Sequence, residues 1–272
     1  MAYNGISFSN AEVHEKAKRT LPNKVSILGV DIVRECLCEM WKDTKVRKFV
    51  LAPYVYNLCF DNLVHYLNNA SRIFREDYVP TQQAFTLQDI LLARVKTTGV
   101  NETWIRLREV WLRIVDVGGQ RSERLKWVKC FTDTNSILYC VSLDGYALPS
   151  EDDCAVNSMH ESLNVFANVI NNQFLLKAPL IIFFNKIDLF QRLVRWIPLT
   201  ICFPEYEGDV SFNKTTDYIV NRFTRRITRA SRRPVYKHFT CCVDTAMISD
   251  VFKSVFDNIL SKRVEAFNTN LN

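Results

Sequence analysis

Hydrophobic residues recur along the chain with two different periods, which divide it into a helical first part and a mixed second part. From residue 31 to about residue 75, apolar side chains lie three and four positions apart, as in amphipathic helices, with an interruption at Pro53. After Pro80, short apolar runs alternate with amphipathic stretches, which predicts βαβ units and a parallel sheet. The predicted strands are Val110–Val115, Ile137–Leu143, Leu180–Phe184 and Val235–Cys241.

The last apolar pattern predicts a C-terminal helix that packs on this sheet. Its apolar residues share one helical face: Ile248, Val251, Phe252, Val255, Phe256, Ile259 and Leu260. We therefore predict an N-terminal segment with a helical part over residues 1–88, followed by an α/β domain over residues 89–272.

Composition narrows the class of protein. The 272 residues are 48% hydrophobic and 24% charged, as in an ordinary globular protein, and no apolar run is long enough for a membrane span. The nine cysteines are scattered without zinc-site or redox spacing, which favours reduced thiols in the cytosol. Ala2 stands where N-myristoylation requires glycine. We therefore expect a cytoplasmic protein whose membrane contact would come from partners or surface charge.

The net charge of +6 is concentrated in one segment, Arg225–Arg233. Such a run can mark a nucleic-acid site, but no aromatic residues lie between the arginines to stack on bases. A solvated helix face or a protein-contact loop is therefore the favoured interpretation.

The strongest chemical motif is Asp116-Val117-Gly118-Gly119-Gln120, directly after the predicted strand Val110–Val115. Open parallel sheets bind ligands at this edge. The aspartate can hold Mg²⁺ through water, the glycines let the backbone approach a terminal phosphate, and the glutamine can orient an attacking water. A tight turn is the alternative, but a five-residue match by chance is on the order of 10⁻⁴ in a chain this long.

A second motif, Asn185-Lys186-Ile187-Asp188, follows the strand Leu180–Phe184. The aspartate carboxylate can accept hydrogen bonds from guanine N1–H and its exocyclic amine, a donor pair that adenine lacks. The asparagine can bond the other edge of the base, and the lysine stem can cover a ring face. A surface turn uses the same residue types. The position of the motif after Asp116 favours a guanine site.

Two further segments carry weaker signals. Thr240–Thr245 lies between the last strand and the last helix, where backbone N–H groups can bond a base carbonyl, or where Asp244 or Thr245 can cap the helix. In Arg94–Gly99, an arginine can stabilise charge on a phosphoryl group and a threonine hydroxyl can bind Mg²⁺. Taken alone, this second segment is a basic loop.

Together these four segments resemble the alpha subunits of heterotrimeric G proteins. The resemblance covers roughly residues 31–265, and the string DVGGQRSERLKW at Asp116–Trp127 separates this family from other small GTPases. It extends to Tyr78–Gln83, Met159–Ser162 and Pro198–Tyr206. The resemblance implies an α/β fold, namely a Ras-like GTPase domain with a mostly parallel sheet, preceded by a partial all-helical domain. It also implies GTP or GDP and Mg²⁺ as ligands.

The resemblance also implies roles for single residues. The implied catalytic residues are Arg94, as an arginine finger, and Gln120, which positions the attacking water. The implied magnesium ligands are Thr97 and Asp116. The implied nucleotide contacts are Gly119, Asn185, Lys186, Asp188 and the backbone of Cys242. The pair that holds switch II in the active state is Arg124 and Glu161.

The partners implied by the family are proteins. A beta-gamma dimer would bind through switch II, and a G-protein-coupled receptor through the C-terminal helix and the Arg225–Arg233 segment. GTP would close the switches for a downstream effector, and hydrolysis would restore binding to beta-gamma. In such a complex the protein would lie at the inner face of the plasma membrane. No nucleic-acid partner is expected.

The chain departs from the family at the phosphate-binding loop. A Walker A loop ends in Gly-Lys-Ser/Thr, and none of the seven glycines here precedes a lysine. The backbone cradle and the phosphate lysine are therefore lost. Since charged hydrogen bonds contribute ~1.5–3 kcal/mol each, losing several is expected to weaken nucleotide binding by many orders of magnitude.

The first strand of the family, which normally lies mid-sheet, is the second point of departure. Lys24–Gly29 resembles it, and if this segment does not take its place, two sheet edges are left uncovered. Three hypotheses stay open: a GTP-hydrolysing transducer, a pseudo-GTPase that acts as a protein-interaction scaffold or decoy, and a truncated product without a stable function.

Overall fold

The computed structural model describes residues 29–52, 62–80, 84–93, 95–107, 109–228 and 233–256. The chain divides into two compact units, residues 1–94 and residues 95–272. The described part of the first unit is helical, and the second unit combines helices with two sheets. Within the described ranges, no helix has both the length and the apolar character needed to cross a membrane.

Short helices make up the described part of the first unit. They are α1 (Val30–Lys42), α2 (Thr44–Val50), α3 (Leu63–Asn68), α4 (Ala70–Ile73) and α5 (Ala84–Leu92). The predicted helical character is thereby confirmed, with a break that the sequence pattern did not indicate. The Asp43 carboxylate accepts hydrogen bonds from the backbone N–H groups of Lys45 and Val46, so it ends one helix and caps the next. The predicted interruption at Pro53 lies outside the described residues.

A buried carboxylate joins the helices of this unit. Asp89 on α5 accepts hydrogen bonds from Arg72 Nη1 at 2.6 Å and from the Tyr78 hydroxyl at 2.7 Å. His65 Nε2 lies 2.7 Å from the same carboxylate. The hydrogen bond from Arg72 is the main reason that the pKa of Asp89 lies well below its usual range. The ionised carboxylate therefore holds α3, α4 and α5 together.

The described part of the second unit contains two sheets. The strands β3 (Ile137–Ser142), β4 (Leu180–Asn185) and β5 (Val235–Phe239) form a parallel sheet in the order β3-β4-β5. The first five residues of the central strand β4 are all buried, as expected for a strand that is covered on both faces. The parallel sheet that the apolar runs predicted is confirmed for these three strands.

Among the described residues, Val110–Val115 does not lie in the parallel sheet as predicted. This run lies in β2 (Val110–Val117), which pairs antiparallel with β1 (Val100–Leu107) in a sheet of two strands. Only two residues, 108 and 109, separate β1 from β2, and so short a connection can join only antiparallel strands. The strand β1 was not predicted because its polar start, Asn101–Thr103, interrupts the apolar pattern.

The strands β2 and β3 each have one edge without a strand partner in the described part of the chain. There, β2 pairs only with β1, and β3 pairs only with β4. These are the two edges that we expected to be uncovered if no first strand lay between them. The candidate for that strand, Lys24–Gly29, falls outside the described residues except for Gly29, so its placement stays a prediction.

The helices of the second unit include two on opposite faces of the parallel sheet. The described helices are α6 (Val128–Phe131), α7 (Ser158–Ile170), α8 (Ile187–Leu193), α9 (Phe212–Thr224) and α10, the helical residues 245–256. The Phe184 ring lies 5.8 Å from the ring of Phe223 on α9, whereas the Phe183 ring lies 6.0 Å from the ring of Phe252 on α10. Since successive residues of a strand point to opposite faces, α9 and α10 lie on opposite sides of the sheet. The predicted C-terminal helix is confirmed for residues 245–256.

Candidate functional site

The predicted site residues of the second unit lie at or near strand ends, except Glu161, which lies on the helix α7. The loop 95–99 precedes β1, and the turn 118–124 follows β2. The motif 185–188 runs from the last residue of β4 into the first turn of α8, and the loop 240–244 follows β5. Arg94, the implied arginine finger, lies outside the described residues, so its role stays a prediction.

The loops 95–99 and 118–124 meet at one end of the hairpin. The Gly118 N–H donates to the Gly99 carbonyl at 3.1 Å, and the Gly99 N–H donates to Glu123 Oε2 at 2.6 Å. A Cβ atom at Gly118 would lie 2.7 Å from the Thr97 carbonyl oxygen, so only glycine permits this approach. The structure thus brings Thr97 and Asp116, the implied magnesium ligands, to the same end of the hairpin.

The turn after β2 leaves its second glycine accessible. A Cβ atom at Gly119 would meet no heavy atom within 4 Å, and the residue is exposed. The carbonyl of Gln120, which is half-buried, accepts a hydrogen bond from the Glu123 N–H at 2.9 Å. Trp127 Nε1 donates to the Gly118 carbonyl at 2.8 Å and so stabilises the turn. Open backbone at Gly119 is the feature needed for contact with a terminal phosphate.

Arg124 joins this turn to the helix α7. Its Nε donates to the Gly119 carbonyl at 3.0 Å, and its Nη2 donates to Glu161 Oε1 at 2.7 Å. Asp152 Oδ2 lies 3.4 Å from the same Nη2 and accepts a hydrogen bond from the Arg121 N–H at 2.9 Å. The two residues that the resemblance paired, Arg124 and Glu161, are therefore in direct contact.

The pKa of Glu161 reflects this contact. Burial of the carboxyl raises its pKa, but hydrogen bonds from the Ser150 hydroxyl and from Arg124 outweigh that effect. The pKa of Glu161 consequently lies below its usual value, and the carboxylate is ionised near neutral pH. The pair is a charge-assisted hydrogen bond between partly buried groups.

Asn185 ties the loop after β4 to the loop after β5. Its Oδ1 accepts hydrogen bonds from the Cys242 N–H at 2.9 Å and from the Thr240 hydroxyl at 3.2 Å. The Ile187 N–H donates to the Thr240 carbonyl at 3.2 Å and adds a backbone link between the same loops. The Cys242 N–H thus supports Asn185 in this structure, which leaves the amide NH₂ group of Asn185 as its donor toward a base.

Lys186 turns the chain sharply between Asn185 and Asp188. It has φ 62° and ψ 39°, in the left-handed region, and among the described residues it alone has positive φ without being glycine. Its Nζ donates to Asp144 Oδ2 at 2.9 Å. Asp188 is exposed in the first turn of α8, so its carboxylate is accessible to a ligand.

Sequence reasoning missed three acidic residues that organise the loops: Glu123, Asp144 and Asp152. A usable signal existed for Asp144, because it directly follows the predicted strand Ile137–Leu143 at the ligand-binding edge of the sheet. The same placement had singled out Asp116. Glu123 and Asp152 lie in turns whose partners are distant along the chain, so no local pattern marks them.

The arginine-rich segment is only partly exposed. Arg233 is buried, and its guanidinium donates to the carbonyls of Ile170 and Leu175, where α7 ends. Burial lowers the pKa of Arg233 below the ordinary arginine value. The prediction that the whole Arg225–Arg233 segment is a partner surface is therefore corrected for Arg233, whereas Arg225 and Arg226 are exposed.

Comparison with known proteins identifies the class to which this fold and these loops belong. The family model described as the G-protein alpha subunit matches residues 4–259. The chain therefore belongs to the G-protein alpha subunit family. A relative, the guanine nucleotide-binding protein alpha-4 subunit of Caenorhabditis briggsae, is 37% identical over 265 residues, which cover 94% of this chain and 72% of the relative. The alpha-4 subunit of Caenorhabditis elegans is 36% identical with the same coverage.

Membership in this family confirms the predicted fold class, a Ras-like domain combined with a helical domain. Proteins of the family generally bind guanine nucleotides. They act in signal transduction together with beta-gamma dimers, receptors and effectors.

Proposed function

We propose that this chain is a guanine-nucleotide-binding transducer that carries signals from G-protein-coupled receptors, with GTP hydrolysis as the off-switch. The observation that carries the proposal is the bond of 2.9 Å between the Cys242 N–H and Asn185 Oδ1. It joins the two base-side loops through protein groups alone, and a site held by such contacts loses less conformational entropy on binding. The exposed carboxylate of Asp188 then selects guanine through its paired donors.

Mg²⁺ fits the phosphate side of the site only together with a nucleotide. Thr97 and Asp116 supply one hydroxyl and one carboxylate, and no cluster of three His, Cys, Asp or Glu side chains in the described ranges suits a metal ion. Such a donor pair matches Mg²⁺, which commonly shares its coordination with waters and substrate phosphates. When bound, the ion would stabilise negative charge on the phosphates. Gln120 would orient the attacking water, and Arg94 would neutralise charge on the transferred group.

A nucleotide-binding-deficient pseudo-GTPase is the second candidate function. It is favoured by the sequence itself, since none of the seven glycines precedes a lysine as a Walker A loop requires. The contacts of Arg124 with Gly119 and Glu161 order switch II through protein groups alone. A chain of this kind would still present switch II to a partner as a scaffold or decoy.

The partner surfaces of the proposal are exposed apolar and basic residues. Leu125 and Val128, close to Arg124 along the chain, are 86% and 54% exposed, which suits contact with a beta-gamma dimer or an effector. The receptor would contact the C-terminal helix together with Arg225 and Arg226. Through these partners the protein would act in the cytoplasm at the inner face of the plasma membrane.

The experiment that separates the two functions is equilibrium binding of a fluorescent, slowly hydrolysed GTP analogue in Mg²⁺, with GDP and ATP as competitors. Submicromolar binding that GDP competes and ATP does not would support the transducer. Gln120→Leu should then slow single-turnover GTP hydrolysis without weakening binding, and the exposed Gln173→Leu should change neither. A folded chain that binds no guanine nucleotide but is captured by a beta-gamma dimer would support the pseudo-GTPase.

A further inference from the structure

An ion pair behind the base side of the site joins Lys186 of the Asn185–Asp188 motif to Asp144, a residue that belongs to none of the motifs. Asp144 occupies the turn Leu143–Ala147 directly after β3, and its side chain is fully buried. The Lys186 ammonium donates to its Oδ2 at 2.9 Å, and the Ser142 hydroxyl donates to its Oδ1. The Lys186 side chain is 31% exposed, so the pair connects the protein interior with the surface that would meet the base.

Sheet register explains why these two charges meet. β3 and β4 are adjacent parallel strands, and Ser142 pairs with Asn185 at their carboxyl ends. Asp144 lies two residues after Ser142, and Lys186 directly follows Asn185, so the strand register places the two charged residues close together at the same edge of the sheet. The backbone of Lys186 is in the left-handed region, which a residue with a Cβ atom rarely adopts without support from its surroundings.

We propose that Asp144 is a positioning residue of the guanine site, which holds Lys186 so that its aliphatic stem covers the base. This inference rests on the proposed guanine-nucleotide binding. A free lysine side chain samples many rotamers, and fixing it before the ligand arrives removes that entropy loss from binding. Asp144 is buried and acts only through Lys186.

A purely structural role predicts different behaviour. Burying a carboxylate is unfavourable because of desolvation, so an ion pair of this kind is a weak source of fold stability. Asp144→Asn keeps the size of the side chain and an oxygen that can accept a hydrogen bond from Ser142, but it removes the charge that holds the ammonium. Lys186 is partly exposed, so its ammonium can then turn to water instead of remaining buried without a partner.

The test measures nucleotide binding and selectivity of the full chain with Asp144→Asn. We expect binding of the fluorescent guanine nucleotide to weaken about tenfold and the preference over the adenine analogue to fall, while the unfolding midpoint stays the same. The matched control is Asp209→Asn, since Asp209 accepts a hydrogen bond from the Lys214 ammonium at 2.7 Å on the surface. This control should leave affinity and selectivity unchanged.

A double-mutant cycle with Lys186→Met identifies the route of the effect. If Asp144 acts through Lys186, adding Asp144→Asn to Lys186→Met weakens binding no further. A second tenfold loss in that background would assign Asp144 a separate structural role and overturn the inference.

A readout without nucleotide completes the test. Acylation of Lys186 by an amine reagent should be several-fold faster in Asp144→Asn than in the unmodified chain, because its ammonium is no longer held. Equal acylation rates would overturn the inference.

The nucleotide-binding outcomes distinguish this inference from the proposed function. A chain that binds guanine nucleotide equally with and without Asp144→Asn overturns the role of Asp144 alone. A folded chain that binds none overturns the proposed function and the role of Asp144 together.

Discussion

The parallel sheet β3–β5 and the hairpin β1–β2 belong to the same unit, but they differ in how deeply they are buried. Leu180–Phe184 of β4 are all buried, whereas neither strand of the hairpin has a buried residue. Trp104 and Trp111 of the hairpin are 58% and 61% exposed. The base-side loops thus follow strands of the core, and the phosphate-side loops flank an exposed ribbon.

This difference separates the residues proposed for base recognition from those proposed for catalysis. Asn185 and Lys186 are held at the end of a buried strand by hydrogen bonds to other loops. Asp116 and Gln120 depend on the hairpin and on the contacts of Arg124. Since local stability follows burial, we expect the base side to stay ordered under conditions that loosen the phosphate side.

The largest effect should come from the core under the base side. Phe184 is fully buried, with its ring 5.8 Å from the ring of Phe223, so Phe184→Ala should lower the free energy of unfolding by about 3–5 kcal/mol. The matched control is Phe174→Ala, since Phe174 is 53% exposed and its loss should change stability by less than about 0.5 kcal/mol. Urea unfolding followed by circular dichroism measures both, and equal losses would contradict the burial difference.

The next effect concerns the link between the base-side loops. Asn185→Ala removes the acceptor of the Cys242 N–H, and we expect a loss of about 1–3 kcal/mol in the free energy of unfolding. Faster hydrogen exchange at the Cys242 amide should accompany it. Asn172→Ala is the control, because the Asn172 side chain accepts a bond from the Phe174 N–H at the surface. If Asn172→Ala lowers the free energy of unfolding as much as Asn185→Ala, the base side is no better ordered than an exposed turn.

A smaller, pH-dependent effect is expected where switch II contacts α7. The pKa of Glu161 is lower in the folded protein than in the unfolded chain, so its stabilising effect is present above the unfolded pKa. That effect is lost as the pH falls through the lower folded value. Glu161→Gln should therefore be less stable than the unmodified chain by about 1 kcal/mol near neutral pH, and the gap should close as the pH falls below the usual pKa of glutamate.

Urea unfolding at a series of pH values measures this gap. Glu205→Gln is the control, because the Glu205 carboxylate is 53% exposed in its pair with Arg222, and solvent screens it. A gap for Glu161→Gln that widens on acidification would contradict the assigned direction of the pKa shift.

The smallest effect is expected on the hairpin itself. Trp111 is 61% exposed, so Trp111→Ala should change the free energy of unfolding by less than about 0.5 kcal/mol. Chemical unfolding of the purified chain measures it. A loss of about 2 kcal/mol or more would mean that the hairpin face is covered, and the contrast between the two sheets would fail.

Much of the core could be predicted because its signals are local. The run Leu180–Phe184 is apolar without interruption, as a central parallel strand must be, and its motif follows at the ligand-binding edge. The hairpin could not be predicted in the same way. In Val100–Leu107 the polar residues Asn101–Thr103 follow the first valine, and the pairing with β2 depends on a connection of two residues that carries no strong turn signal.

The sequence by itself determined the family, the parallel strands and the residue types of the guanine and switch motifs. Each of these features depends on a short contiguous run of residues. Only the tertiary structure decided that Lys186 donates a hydrogen bond to Asp144 and that the Cys242 N–H donates to Asn185. The same holds for the hydrogen bond from Arg233 to the Leu175 carbonyl, just after α7. Within the described residues, it also decided that β2 pairs with β1 in a hairpin and not with a strand of the parallel sheet. These contacts join residues far apart in the chain, so strand register and burial select them, and no local pattern records them.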